Sequence, residues 1–356
     1  TVTKMTPPIM SSEAPDGPRI LTIAANNGEI GGGEVMLLAM ARAARSGGWD
    51  VKVVGPGADG GVMDVAERDG FAVDRLPRDR PAYMRALRRR DGGRRGLLWC
   101  NGLVPAAATL GHPHRVVHLH RRPEGLHRGL ARVARLGARL TVAPSTYLAV
   151  DSGLDVVLPN WTPPVSRAPS QSSTLRVGFM GRWAREKGLD VLARALLDPN
   201  SPSSILVLAG EPRFSNATET EVIESALAAL GDRVVRVGWV PPEALFGTVD
   251  VLVVPSREAE SFGLVAAEAM SARLPCIVTD AGALPEVVGD DYPWIARGGS
   301  VEDLARIISA VAGTDSDTRD QIAERAHQRW EENFSPLAGT QRFLTLLDAI
   351  AGRGAS

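Results

Sequence analysis

Residues 253–270 read Val-Val-Pro-Ser-Arg-Glu-Ala-Glu-Ser-Phe-Gly-Leu-Val-Ala-Ala-Glu-Ala-Met. An apolar run of strand length stops at Pro255, a polar loop carries Glu260, and Gly263 opens an alanine-rich helical stretch that holds Glu268. Strand, loop and helix in that order make one βα unit. A strand that is apolar at consecutive rather than alternate positions must be covered on both faces, which argues for a parallel sheet wrapped by helices.

The same unit recurs on both sides. In the second half, strands are expected over 175–180, 205–209, 234–237, 251–255 and 276–279. Helices are expected near 188–197, 221–230, 243–246, 263–272, 285–288, 301–312, 317–333 and 337–350. In the first half, strands are expected over 19–25, 51–55, 96–100, 115–118, 140–143 and 156–159, with helices near 34–46, 81–90, 104–110, 126–136 and 146–152. Between the two series stand Thr162-Pro163-Pro164 and Ser166-Arg167-Ala168-Pro169-Ser170-Gln171-Ser172-Ser173, the composition of a linker. The expected organisation is a disordered tail over 1–18, an N-terminal α/β domain over 19–162, a linker over 163–174, a second α/β domain over 175–335, and a C-terminal helix and tail over 336–356. Two domains of the usual ~100–200 residues fit the 356-residue chain. Ligands of such sheets bind beyond the carboxyl ends of the strands, so two facing units would define one interdomain cleft.

Composition narrows the class. Apolar residues make up 44% and charged residues 23%, ordinary for a soluble globular chain. No apolar run approaches the ~20 residues of a membrane span, and residues 1–18 lack the apolar core of a signal peptide. Cys100 and Cys276 sit in apolar runs of different halves. They read as buried free thiols in a reducing, cytoplasmic setting and form no cluster for zinc. The net charge of −1 conceals an asymmetry: residues 1–165 hold 22 Lys and Arg against 15 Asp and Glu, the remainder 18 against 26. The excess of arginine lies over 78–95 and 115–139, interleaved with apolar residues. Two readings stay open, a solvated arginine face or a surface for an anionic acceptor or an anionic membrane. Nothing suggests a nucleic-acid partner.

Four constellations carry chemistry. Glu29-Ile30-Gly31-Gly32-Gly33-Glu34 follows the first strand and opens a helix, so backbone N–H groups can approach an anionic ligand. It lacks the G-x-G-x-x-G spacing and the following acid of a dinucleotide site, which argues against a nicotinamide-dependent dehydrogenase. Gly181-Arg182-Trp183-Ala184-Arg185-Glu186-Lys187-Gly188 follows the first strand of the second domain. Two cations astride a strand–helix turn suit a diphosphate. Lys187 is the only lysine after position 52. Glu260 and Glu268 flank the backbone N–H donors of Gly263 and Leu264, so the two carboxylates can address opposite ends of one ligand, hydroxyl pairs of a sugar or ribose among them. His118 and His120 alternate at the end of a first-half strand.

Together these residues resemble the family-4 retaining glycosyltransferases of the GT-B fold. Glu260 and Glu268 match that family's E-x7-E, and Gly181–Gly188 matches its G-R-x-x-x-x-K-G. Asp280-Ala281-Gly282-Ala283-Leu284-Pro285-Glu286 resembles its G-x-x-P-E segment, and Asn160 its asparagine at the end of the first domain. The resemblance implies two Rossmann-like doubly wound domains facing across a cleft, with the C-terminal helix packing back toward the first. It implies that Arg182 and Lys187 hold a donor diphosphate, Glu268 the ribose, Glu260 the transferred sugar, and Gly263 and Leu264 the sugar or phosphates. Trp239 and Val240 fall where the family lines its nucleobase pocket. Gly32 and Gly33 would face the donor phosphates or the acceptor, and His120 best matches the family's functional histidine. The family often places an acid after that histidine; here Arg121-Arg122-Pro123 follow. The implied activity is metal-independent transfer from a nucleoside diphosphate sugar, UDP-sugar favoured, to a hydroxyl acceptor, with no resident cofactor. A sugar-nucleotide epimerase of the same fold and a non-catalytic sugar-nucleotide-binding protein are the alternatives. The expected location is cytoplasmic, with peripheral contact to the inner membrane face as one use of the arginines.

Overall fold

A computed structural model describes residues 19–168, 174–212 and 217–352. The expected tail over 1–18, part of the expected linker and the last four residues lie outside the described residues. The chain divides into two compact units, one running to Asn160 and resuming at Gly339, the other spanning Trp161–Ala338.

The first unit is built on a seven-stranded sheet of β1 (Ile20–Ala25), β2 (Asp50–Pro56), β3 (Ala72–Leu76), β4 (Leu97–Asn101), β5 (Arg115–His118), β6 (Leu140–Ala143) and β7 (Val156–Val157), in the order β3-β2-β1-β4-β5-β6-β7. The second holds β8 (Leu175–Met180), β9 (Ser204–Ala209), β10 (Val234–Gly238), β11 (Val251–Val254), β12 (Cys276–Thr279) and β13 (Ile295–Ala296), in the order β10-β9-β8-β11-β12-β13. Every strand pairing is parallel. In each sheet the chain winds outward one way, returns to the middle and winds out the other. This is the doubly wound Rossmann order.

Consecutive apolar residues do what the sequence pattern requires. In β9, Leu206 and Leu208 enter one core cluster with Val177, Phe179, Val251 and Val253. Their neighbours Val207 and Ala209 enter another with Leu252, Cys276 and Val278 on the opposite face. Helices cover both faces, which leaves the sheet its polar ground at the edges and strand ends.

Three elements escape the sequence reading. Strand β3 is Ala-Val-Asp-Arg-Leu at the sheet edge, and its charge is partnered rather than buried: Asp74 pairs with Arg90 at 2.6 Å and with Lys52 at 3.6 Å. Strand β13 has two residues, and the helix Val62–Arg68 seven, both too short to show a period. Cys100 and Cys276 are buried and unpaired, and burial pushes their thiols up to about 11 and about 12, so neither is a nucleophile near neutral pH.

Trp161 and Thr162 belong to the second unit. Thr162 N–H donates to the Phe334 carbonyl at 3.0 Å, and Trp330 Nε1 donates to Thr162 Oγ1 at 2.9 Å. The last helix, Pro336–Gly352, passes back into the first unit from Gly339 onward. There Phe343 is fully buried, edge-on to Trp99 with centroids 5.1 Å apart, and Asp348 pairs with Arg19 at 3.4 Å. Phe343→Ala should therefore cost about 3–5 kcal/mol in the first unit, read as a lowered urea midpoint. A loss below about 1 kcal/mol would mean that the returning helix is not part of that core.

Candidate functional site

The sequence-predicted residues gather at strand carboxyl ends, unit by unit. In the second sheet the winding reverses between β8 and β11, and there the loops after both strands carry the expected chemistry. After β8 a short 3₁₀ turn, Arg185–Lys187, ends at Gly188, whose φ is +69°. A Cβ on Gly188 would stand 1.9 Å from the Pro255 carbonyl oxygen, so glycine alone lets the β8 loop press against the β11 loop. The contact is secured by Arg257 N–H donating to the Glu186 carbonyl at 2.9 Å.

That close approach delivers Lys187 to Glu260. Their Nζ–Oε1 distance is 2.6 Å, and Ser256 Oγ donates to the same oxygen at 2.6 Å. Burial by itself would raise the Glu260 carboxyl. The charge and hydrogen bond of Lys187, the Ser256 hydroxyl and the more distant Arg182 outweigh it and hold Glu260 below the usual carboxylate range. The Glu260 backbone is pinned as well: it forms an isolated parallel bridge to Gly282, and Ala283 N–H donates to its carbonyl at 2.9 Å. This is the structural use of the Asp280–Glu286 motif, which seats Glu260. Arg182 reaches Glu186 at 3.1 Å, and both side chains remain about a third exposed.

Gly263, at φ +105°, precedes the helix Leu264–Ser271, which opens without a side-chain cap. A Cβ there would meet Leu284 at 2.5 Å. The first N–H groups of the helix, at a positive dipole end, thus lie between Glu260 and Glu268 along the chain. Glu268 has the opposite environment to Glu260. No hydrogen bond to its carboxyl occurs among the described residues. Burial and the charge of Glu243 push it up to about 7. Glu243 stands on the helix Pro242–Phe246, which follows Val240. Val240 packs partly buried against the core cluster that holds Leu252 and Val278, whereas Trp239, beyond the end of edge strand β10, is 60% exposed.

In the first sheet the reversal falls between β1 and β4. The helix Gly32–Ser46 starts after β1 with Gly32 and Gly33 in its first turn. Asn101, the last residue of β4, donates through Nδ2 to the Gly33 carbonyl at 2.9 Å and meets His120 Nε2 through Oδ1 at 2.7 Å. Glycine loop and histidine are thus joined through an asparagine that the sequence reading did not single out. Its signal was its position, a polar residue closing an apolar strand. Burial lowers His120 to about 4, so it is a neutral imidazole at physiological pH. His118 is packed edge-on to Trp99 at 5.6 Å and, two residues before His120 and so on the same side of the strand, lies ring to ring with it at 3.9 Å. Glu34 is buried, raised by burial, and accepts from the backbone and side chain of Asn27 at 3.2 and 3.4 Å. Arg122, in the Arg121-Arg122-Pro123 stretch that departs from the family's pattern, pairs with Asp151 at 3.0 Å.

Comparison with known proteins bears on this geometry. Residues 174–313 match the family model described as glycosyl transferases group 1. D-inositol 3-phosphate glycosyltransferase of Corynebacterium aurimucosum is 28% identical over 59% of this chain and 53% of its own length. The Corynebacterium jeikeium enzyme of the same name is 34% identical over 50% of this chain and 46% of its own. The chain thus spans about half the length of these relatives. Among solved structures, HepE of Anabaena in complex with UDP-glucose superposes with a TM-score of 0.80 at 20% identity, covering 93% of this chain and 99% of its own. Sucrose-phosphate synthase of Thermosynechococcus elongatus gives 0.79 at 18% identity, covering 95% and 100%. Residues 174–313 are accordingly similar to group 1 glycosyl transferase domains, and the chain has the two-sheet fold of these GT-B structures.

Proposed function

We propose that this chain is a retaining glycosyltransferase that moves a sugar from a nucleoside diphosphate sugar, a UDP-sugar by preference, to a hydroxyl acceptor without a metal ion. The observation that carries the reading is the Lys187–Glu260 pair at 2.6 Å, set at the winding reversal of the second sheet beside an uncapped helix start. Cation, carboxylate and helix dipole converge where a diphosphate bearing a hydroxylated sugar could bind. The UDP-glucose held by HepE, whose fold this chain shares, supports the choice of nucleotide.

In this reading Arg182 and Lys187 bind the diphosphate and stabilise the charge that grows on it as the bond to the anomeric carbon breaks. These fixed cations take the part a divalent metal plays in other transferases. Gly263 and Leu264 donate backbone N–H groups to phosphate or sugar. Glu260, held ionised, accepts from the sugar hydroxyls and fixes the sugar's orientation. The acceptor hydroxyl attacks from the face the diphosphate is leaving, and its proton passes to a diphosphate oxygen, so the protein supplies no nucleophile. Glu268 accepts from the ribose hydroxyls, and Trp239 and Val240 border the base. The first unit contributes Gly32, Gly33 and the neutral His120. The chain works in the cytoplasm, its arginine-rich unit peripheral to an anionic membrane. Among the described residues no helix is long and apolar enough to cross one.

The binding half of this reading is tested with UDP, GDP, ADP and dTDP in a thermal-shift panel. UDP should stabilise the chain with or without chelator. Arg182→Ala or Lys187→Ala should each weaken UDP binding by the roughly 1.5–3 kcal/mol of a charge-assisted contact. Unaltered UDP affinity in both variants would remove the diphosphate site. For the chemical half, Glu260→Ala should abolish turnover, seen as slow release of glucose from UDP-glucose by NMR, while UDP still binds. Unchanged release would refute the role given to Glu260.

The Glu268 carboxyl gives a pH dependence with a definite sign. Its raised value means that the unliganded chain favours the protonated form, and holding the charge becomes a cost as pH rises through about 7. Ribose hydroxyls donate to the ionised form, so nucleotide binding should expel this proton. UDP affinity should fall as pH drops below about 7, more steeply in the wild type than in Glu268→Gln, with a proton released on binding in calorimetry. Identical pH profiles for the two proteins would place the ribose elsewhere.

A further inference from the structure

The helix Leu126–Ala134 of the first unit buries only two side chains, Ala131 and Ala134. Its large apolar residues point outward. Leu126 is 94% exposed, Leu130 45% and Val133 46%, and Leu136, just past the helix, 63%. At about 100° per residue, Leu126, Leu130 and Val133 fall within roughly 60° of one another, and the two alanines lie on the flank of that stripe. The usual order of an amphipathic surface helix, leucines in and polar residues out, is not followed. The helix rests on the domain by its small residues and presents its leucines to the surroundings.

Charge frames the stripe. Residues 121–139 contain six arginines and one acid, Glu124. Arg122 is engaged by Asp151, and Arg135 donates to the carbonyls of Ser152 and Gly153 at 2.8 Å. Arg121, Arg128, Arg132 and Arg139 are exposed and have no acidic partner among the described residues. A second copy of this chain packed on the same face would set arginine against arginine. A surface that is anionic at its rim and apolar beneath has the complementary layout.

We infer that this helix docks the first unit on an anionic lipid surface. Leu126, Leu130 and Val133 enter the boundary between head groups and acyl chains. The four arginines without an acidic partner, of which Arg128 donates to the Pro123 carbonyl and Arg139 meets His114, lie away from the stripe on the polar side of the helix or beyond its ends and bring their guanidinium groups to lipid phosphates. The inference gives named side chains to the peripheral contact proposed above and stands whether or not the transferase reading does.

The test is co-sedimentation of the full chain with phosphatidylcholine vesicles, with and without phosphatidylglycerol. The wild type should pellet with the anionic vesicles at least about tenfold more than with neutral ones, and less as salt is raised, since the attraction of the arginines to anionic head groups is screened by salt. Because the leucines are exposed, Leu126→Ser/Leu130→Ser should keep the wild-type melting temperature and UDP response yet lose most of the pelleting. Arg128→Gln/Arg132→Gln should lose the preference for phosphatidylglycerol. Absence of pelleting by the wild type, or unchanged pelleting of the leucine variant, overturns the proposal. So does a dimer in sedimentation equilibrium that the leucine variant dissolves. A wild type that pellets but gives no UDP response leaves this inference intact and overturns the nucleotide-sugar reading instead.

Discussion

A sheet buried on both faces has no polar ground except at its edges and strand ends, and everything functional in this chain follows from that restriction. In the second unit, one face of β9 packs through Leu206 and Leu208 and the other through Val207 and Ala209, so chemistry is confined to the loops that follow the strands. The doubly wound order then decides which loops count, because only at the reversal do two neighbouring loops diverge to opposite faces and leave room for a ligand. Lys187 comes from the loop after β8 and Glu260 from the loop after β11, the two strands that meet there. Their pairing is a consequence of sheet topology before it is a feature of either side chain. Gly188 permits it by letting the loop backbones approach to a distance no Cβ would allow.

This explains what was legible in the sequence. Continuous apolar runs such as Val251–Val254 announce doubly covered strands, and the glycines, cations and acids that follow them fall at strand ends by necessity. Lys187 and Glu260 could therefore be assigned to neighbouring strand ends from order and spacing, and they meet at 2.6 Å. Edge elements were not legible, since an edge strand such as β3 keeps its aspartate and arginine and loses the apolar signature. Supporting contacts were also hidden. Nothing in the spacing tells that Ser256 donates to Glu260, or that Asn101 joins Gly33 to His120, because these partners are brought together only by folding. The direction of the helix Leu126–Ala134 was equally closed to the sequence. A period identifies an apolar stripe, but whether that stripe faces inward depends on what the rest of the fold offers it, and here the fold accepts only alanines.

The two glutamates of the second unit show how far environment, rather than residue type, assigns a role. Both are substantially withdrawn from water, and in both burial favours the neutral acid. Lys187, Ser256 and Arg182 reverse that preference at Glu260, so it meets a ligand as a fixed anion with its lysine already in place. At Glu268 no cation intervenes, and the charge of Glu243 adds to burial, so it waits near its midpoint. The consequences for a diphosphate-bearing ligand differ. At Glu260 the ligand must share Lys187 with a carboxylate that already holds it, which favours ligands whose hydroxyls compensate that oxygen while their phosphates take the ammonium group. At Glu268 the ligand must supply the hydrogen bonds that make ionisation worthwhile, which favours a pair of vicinal hydroxyls over a single donor. A lone phosphate satisfies the first demand in part and the second not at all. In the proposed reading a ribose joined through a diphosphate to a second sugar satisfies both, and two oppositely tuned carboxylates select for it.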